Sequence, residues 1–436
     1  MELLFRIGQV ILMLSILVIL HEFGHYIPAK LFKTKIEKFF LFFDVKFALF
    51  KKKIGETVWG IGWLPLGGYV KIAGMIDESM DREQMAKPPQ PWEFRSKPAW
   101  QRLIIMCGGV IVNFLLAWLV FTCLLVKNGD SYIPTKNLKY GIEVDSIGRV
   151  MGFQNGDKIL SVDNKPVKEM QSALIEAILG DEVTVLRNGS EKTIALTDEK
   201  KKILFSNLNR PFIAPRYKTI LGRVGEKTIA EKIGLQVGDQ IISANDQPAE
   251  YWGDFAKQIV QSEGKSLKIT YQRNGEVKTE VTSIPKDSIL GVSPERMDLV
   301  VTDEYSLASA IPAGLNKTIS SLSDQVRQFK VILNKNTGAY KQVKGPIGLV
   351  EAMPNKWNST YFWTILATLS VWLAFVNILP IPALDGGHVM FLLYEIVAGK
   401  KPSQRVLELG QMIGFIFLLS LMVLIFGNDI WNAITM

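Results

Sequence analysis

Cysteine is nearly absent from this 436-residue chain, which has only Cys107 and Cys123. Both fall in one apolar run, and on a helix they would stand about 24 Å apart, too far to bridge within that helix. The polar parts of the chain therefore carry no disulfides, which suits either a reducing or an oxidising compartment. Histidine is scarce as well, with three residues: His21, His25 and His388. Also missing is any basic stripe interleaved with aromatics. The formal net charge of +8 and the pI near 9.1 therefore do not point to nucleic acid, and no nucleic-acid partner is expected. What the chain has in excess is apolar sequence: 48% hydrophobic residues and a mean hydropathy of +0.17, concentrated in a few long runs. That pattern describes an integral membrane protein with polar domains attached, its first partner being the lipid bilayer.

Residues 3–20 (LLFRIGQVILMLSILVIL) resemble a signal peptide, but no small-residue cleavage site follows. A retained transmembrane helix is predicted over 1–30. Further runs at 103–126, about 361–384 and about 406–427 are each long enough to span a bilayer, which makes a multi-pass α-helical membrane protein with four transmembrane helices. Lysines 30, 33, 35, 38, 46, 51, 52 and 53 follow the first span, and Lys400, Lys401 and Arg405 lie between the third and fourth. Positive-inside logic puts both groups on the cytoplasmic side and residues 127–360 with both termini outside.

The region between the second and third spans repeats itself. Gly152-Phe-Gln-Asn-Gly156-Asp157-Lys-Ile159 is echoed by Gly234-Leu-Gln-Val-Gly238-Asp239-Gln-Ile241. Arg187-Asn188-Gly189 is echoed by Arg273-Asn274-Gly275, and Asn-Gly between alternating apolar runs predicts a hairpin. Two tandem strand-rich domains are expected, at 127–217 and 218–305. Their G-L-x-x-G-D-x-I pattern resembles PDZ domains of bacterial membrane-associated proteases, an α+β fold, the first copy departing more than the second. Within 306–360, Leu315, Ile319, Leu322, Val326, Phe329 and Ile332 recur at helical spacing, predicting an amphipathic helix. It would lie on the membrane surface or against the domain pair. Residues 31–102 form a loop in which 55–74 is apolar but too rich in glycine for a helix. Pro65-Leu66-Gly67-Gly68 there reads as a turn between two short strands.

Chemistry concentrates at His21-Glu22-Phe23-Gly24-His25. Histidines four apart share a helix face, so both rings reach one metal ion, and the glutamate between them is the usual general base. A zinc hydrolase needs a third protein ligand and an open position for water. Ionisable residues in spans are rare, and the clear one near the inner end of a span is Asp385, in Asn377-Ile-Leu-Pro380-Ile-Pro382-Ala-Leu-Asp385-Gly386-Gly387-His388. Two prolines break the helix there, and broken backbone at membrane depth is tolerated only where it is buried or lines a cavity. His388, three residues on, could face the same ion. Asn377, a polar group in an apolar span, reads as a hydrogen bond between helices.

The H-E-x-x-H of the first span with N-x-x-P-x-P-x-L-D-G at 361–398 resembles the site-2 protease family of intramembrane zinc metalloproteases. The tandem PDZ-like copies and Gly108-Gly109-Val110-x-x-Asn113-Phe114, which opens the second span, resemble its regulator-of-sigma-E branch; the family often has proline where Val110 stands. The resemblance implies Zn2+ on His21, His25 and Asp385, Glu22 as base, and no ligand role for His388. It implies substrate contact by Asn377 and a membrane-re-entrant β-hairpin at about 55–74 that presents a strand edge to substrate near Gly67, Gly68 and Tyr69. Pro380 and Pro382 would shape the substrate side of the break. Implied substrates are single-span membrane proteins already trimmed outside, such as anti-sigma factors, and remnant signal peptides, in a bacterial inner membrane. The PDZ pair would act as a size filter or bind a newly exposed carboxyl terminus. Two other readings remain: a membrane zinc protease with a glutamate third ligand, and a PDZ scaffold with a vestigial metal site.

Overall fold

The computed structural model describes residues 1–65, 67–75, 87–207, 211–286, 288–295 and 299–435, with side chains to residue 430. The chain forms two compact units, one of Met1–Gly129, Glu304–Lys330 and Lys341–Met436, the other of Asp130–Asp303 and Val331–Tyr340.

The main helices of the first unit are α1 (Glu2–Leu31), α2 (Ala99–Asn128), α3 (Leu307–Leu333), α4 (Ser359–Ile378), α5 (Asp385–Ala398) and α6 (Gln404–Thr435). Among the described residues α1, α2, α4 and α6 are the helices long and apolar enough to cross a membrane. Lipid is as apolar as leucine, so such helices associate through close packing and polar contacts more than through the hydrophobic effect. Gly24 and Gly108 meet at the α1–α2 crossing, where a Cβ on either would run into the other's carbonyl. Met13, Leu17, Ala117, Phe121, Leu366 and Val371 fill the seam of α1, α2 and α4, and Ser370 Oγ donates to the Asn113 carbonyl at 2.7 Å.

Helix α3 is formed as expected but buries a different face. Ala310, Gly314 and Thr318, one turn apart, and Gln325 are its buried residues, while Ile319 and Val326 of the apolar stripe are exposed. Gly314 lies against Thr122, Trp118 Nε1 donates to the Ile311 carbonyl at 2.9 Å, and the Phe329 ring meets Phe375. Within this unit the helix packs on α2 and α4. Small residues bring backbones together in an apolar bundle, and Leu322 and Phe329 of the stripe pack beside them.

Residues 36–72 form a four-stranded sheet of β1 (Ile36–Leu41), β2 (Phe43–Ile54), β3 (Thr57–Leu64) and β4 (Tyr69–Ile72), in the order β2-β3-β1-β4. This corrects the hairpin expected over 55–74, whose residue Leu66 lies outside the described residues. Strands β3 and β4 do not pair: β1 runs between them, parallel to β3 (Lys38↔Val58) and antiparallel to β4 (Phe39↔Val70). The hairpin that does form is β2–β3, turning at Gly55-Glu56. The reason is packing. Phe39 of β1 stacks on Trp59 and meets Phe23 of α1, and Thr57 Oγ1 donates to the Ile36 carbonyl, so β1 is drawn into the centre.

In the second unit the sequence echo becomes a structural one. Strands Lys158–Val162, Lys165–Pro166, Glu182–Arg187 and Ser190–Ala195 form a sheet, and Gln240–Ala244, Gln247–Pro248, Ser266–Arg273 and Glu276–Ser283 form another with the same order and sense. Both Asn-Gly pairs turn hairpins with positive φ at each residue (Asn188 50°, Gly189 80°; Asn274 51°, Gly275 86°). The two echoed motifs are parts of one device. Arg187 Nε and Nη2 donate to buried Asp157 at 2.7 Å, and Nη2 also donates to the Gly152 carbonyl. Arg273 holds Asp239 at 2.6 Å and the Gly234 carbonyl at 2.7 Å in the same way. Removing either arginine leaves a buried carboxylate unpaired, so Arg187→Ala and Arg273→Ala should each destabilise their own copy by about 3–5 kcal/mol. Lysine at either position should rescue only in part, because it lacks the two-pronged geometry. Hydrogen exchange of the full-length protein, read copy by copy, checks this.

Candidate metal centre

The sequence brings His21 and His25 one helical turn apart near the end of α1; the fold supplies the rest. α4 ends at Ile378, the chain turns through Leu379–Leu384 with the Ile381 and Leu384 amides donating to the Leu379 and Ile381 carbonyls, and α5 restarts at Asp385. Inside the break Ala383 holds a left-handed φ of 81°, a conformation costly for a residue with a Cβ and kept only where neighbours enforce it. Gly386 and Gly387 lie directly on the Leu379 and Ile381 carbonyls, and Gly414 of α6 lies on the Pro382 carbonyl. The glycines thus let the break fold tightly on itself, and α6 backs it. Asp385 is thereby delivered to the histidines.

His25 Nε2 is 3.3 Å from His21 Nε2, and Asp385 Oδ2 is 3.5 Å from His21 Nε2 and 3.3 Å from His25 Nε2. Three N/O ligands of a tetrahedral zinc, at about 2.0–2.1 Å, stand about 3.3 Å from one another, so the spacing fits that ion. Two further facts agree. Asp385 Oδ2 is a buried acceptor with no hydrogen-bond partner, and these three are the group of potential ligands that gathers among the described residues. Glu22 is buried on α1 between the histidines and is not one of the three. His388, half-buried on the next turn of α5, is not one either.

The second nitrogens of the rings are held from α2. His25 Nδ1 lies 2.8 Å from the Ile105 carbonyl, which can only accept, so the proton sits on Nδ1 and Nε2 presents its lone pair. Asn113 meets His21 Nδ1 at 3.1 Å through its side-chain amide. With the amide oxygen turned to this contact it accepts Nδ1–H, frees Nε2 in the same sense, and gives a partner to an oxygen otherwise buried without one. Gly109 lies beneath both rings; a Cβ there would meet His25 Nε2 and His21 Cε1. Sequence reasoning gave neither residue a role. The signal was present in Gly108-Gly109 and an asparagine five residues on, inside an otherwise apolar run.

The remaining candidates divide. Asn377 reaches the site, its Nδ2 3.5 Å from His21 Nε2. Pro382 is turned to α5 and α6, against Gly387 and Gly410, and Pro380 is exposed. Gly68 packs on Val18 of α1, one turn before His21, and Gly67 on the Phe43 ring. Tyr69 starts β4 with its ring stacked on Phe40 and its hydroxyl donating to Asp44 at 2.8 Å, so what it offers toward the site is strand backbone and not its hydroxyl. From this geometry, Gly109→Ala and Asn113→Ala should each weaken zinc affinity by about 10–100-fold while the helices stay assembled. Zinc titration against a competing chelator, with thermal unfolding as the control, measures it.

Comparison with known proteins agrees with the geometry. Residues 9–421 match the description of peptidase family M50. A Neisseria meningitidis protein provisionally named a zinc metalloprotease is 31% identical, over 95% of this chain and 96% of its own length. The regulator of sigma E protease of Haemophilus influenzae is 30% identical over 98% and 99%, and the regulator of sigma-E protease RseP of Escherichia coli 29% over 98% and 98%. A match that runs from the first span to the last and takes in both histidines and Asp385 shows that this chain belongs to peptidase family M50 and is a zinc metalloprotease.

Proposed function

We propose that the chain is an intramembrane endopeptidase that hydrolyses peptide bonds within the membrane-spanning segments of single-span proteins, in regulated proteolysis. The observation that carries this reading is the trio His21, His25 and Asp385, with mutual spacings of 3.3–3.5 Å, in a unit whose helices α1, α2, α4 and α6 have a length and apolarity suited to a bilayer. In this reading those three residues hold zinc. When bound, zinc supplies the Lewis acidity that polarises a carbonyl and lowers the pKa of water. Glu22 takes a proton from the attacking water and passes it to the leaving amide nitrogen. Asn377, within reach of His21, holds the substrate backbone beside the trio.

A helical substrate hides its peptide bonds and must be drawn out before water can attack. Among the described residues no strand pairs with the outer edge of β4, and β4 follows Gly68, which rests on α1 next to the histidines. That edge would hold an unwound segment through main-chain hydrogen bonds, with little demand on its sequence.

The bacterial relatives and the four long apolar helices support a bacterial inner-membrane placement, and positive-inside logic supports the trio toward the cytoplasm and the second unit in the periplasm. The two repeated domains are taken as PDZ domains acting as a filter that turns away substrates with bulky outer parts. Their matching sheets and arginine–aspartate pairs support a tandem of one fold. Anti-sigma factors already trimmed outside, and remnant signal peptides, are the substrates that fit. The names of the Haemophilus and Escherichia relatives point to sigma-E regulation in those organisms.

Co-expression of a tagged single-span substrate, with metal analysis of each purified protein, tests the reading. Glu22→Gln should keep its zinc and lose activity by about a hundredfold or more. His21→Ala, His25→Ala and Asp385→Ala should lose both, and His388→Ala should keep its zinc. Zinc retained by Asp385→Ala would sink the ligand assignment, and equal cleavage by wild type and Glu22→Gln would sink the protease reading.

A further inference from the structure

α2 and α5 also carry an ion pair that the catalytic reading does not use. Arg102, in the first turn of α2, is buried, and its Nη2 donates to Glu395 Oε1 of α5 at 2.5 Å; the two side chains are 9% and 14% exposed. Nε of the same guanidinium donates to the Lys97 carbonyl at 2.9 Å, and the Phe94 ring centre lies 6.0 Å from it. Arg102 is thus fixed from its own side before it meets Glu395. Neither residue belongs to the metal trio. Glu395 follows Asp385 by ten residues, about 15 Å along the helix.

The role of the pair follows from where its helices lead. α2 holds both histidines, through the Ile105 carbonyl, one turn after Arg102, and through Asn113. α5 begins with Asp385. The pair therefore links the helix that holds two ligands to the helix that begins with the third. Apolar contacts along this seam, where Leu392 shares a cluster with Ile105 and Met106, do not specify register by themselves. A slide of one turn, about 5.4 Å, would exchange one apolar contact for another or for lipid, which is just as apolar. It would carry Asp385 well away from the histidine nitrogens, now 3.3–3.5 Å from its Oδ2. It would also strand two buried charges, which is costly, so the pair selects one register. Simple stability is the plainer account of an ion pair, but burial weighs against it. Taking two charges out of water cancels most of what their attraction returns, and apolar side chains of similar volume hold such a seam at least as well.

We propose that Arg102 and Glu395 are positioning residues for the metal centre: their ion pair sets the register of α5 on α2 and so holds Asp385 at ligand distance from His21 and His25. This role rests on the reading of Asp385 as a ligand. Arg102, Glu395 and His388 line one cavity, which gives water access to a carboxamide placed at either end of the pair. Glutamine variants therefore leave no charge sealed from water.

The test uses the full-length protein in detergent, stripped of metal and titrated with zinc against a chelator, then with cobalt. Cobalt takes the place of zinc, and its visible absorption follows the number and geometry of its ligands. Glu395→Gln and Arg102→Gln should each weaken zinc affinity by about tenfold to a hundredfold and change the cobalt spectrum in the same way. Arg102→Lys keeps the charge but not the two-pronged reach to Glu395 and Lys97, so it should fall between wild type and Arg102→Gln. Unchanged zinc affinity and cobalt spectrum in both glutamine variants, with only the unfolding temperature of the metal-free protein lowered, would overturn the positioning role and leave a merely structural pair. Asp385→Ala is the control that separates this failure from failure of the ligand reading. Wild-type affinity and spectrum in Asp385→Ala would sink the ligand reading and the positioning role with it. A changed Asp385→Ala beside unchanged glutamine variants would sink the positioning role alone.

Discussion

The close approach of α1 and α2 is the constraint on which the rest of the first unit depends. Two histidines can bind a metal only if something holds their far nitrogens and something else brings a third ligand. Here the holder is α2, through the Ile105 carbonyl and Asn113. Backbone reaches side chain in this way only because Gly24 and Gly108 touch without side chains and Gly109 leaves room for the rings. The same helix carries the contact to Ser370 that positions α4, and so sets where the break before Asp385 begins.

The break itself shows how an apolar bundle accommodates irregular backbone. A helix that stops at Ile378 exposes carbonyls that hydrocarbon cannot satisfy. The chain meets this by folding the break on its own glycines, with α6 against it, at the expense of a left-handed Ala383. The strained segment and the metal trio are one construction, because the turn that creates the strain also aims Asp385.

The second unit solves a different problem with water on hand. Its two copies each clamp a buried aspartate with an arginine from the hairpin arm, and so tie a turn to a sheet without cysteine. Both motif halves were visible in the sequence as echoes, but nothing in a linear reading says that Arg187 belongs to Asp157, thirty residues earlier. Salt-bridge partners are chosen in space.

The four long apolar helices, the paired histidines, the Asn-Gly hairpins and the break before Asp385 were all determined by the sequence alone, because each depends on local composition and periodicity or on one or two residues with fixed backbone preferences. The tertiary structure decided what depends on which surfaces meet. It put β1 between β3 and β4 and moved the hairpin to β2–β3, because the Phe39–Trp59 stack outweighs adjacency in the chain. It buried the small residues of α3, packed Leu322 and Phe329 of its apolar stripe beside them and left Ile319 and Val326 outward, because in an apolar bundle small residues let backbones approach. It also gave Asn113 and Gly109 their places at the metal centre. A polar residue and a glycine in a span announce that something is there, and only the fold says what they face.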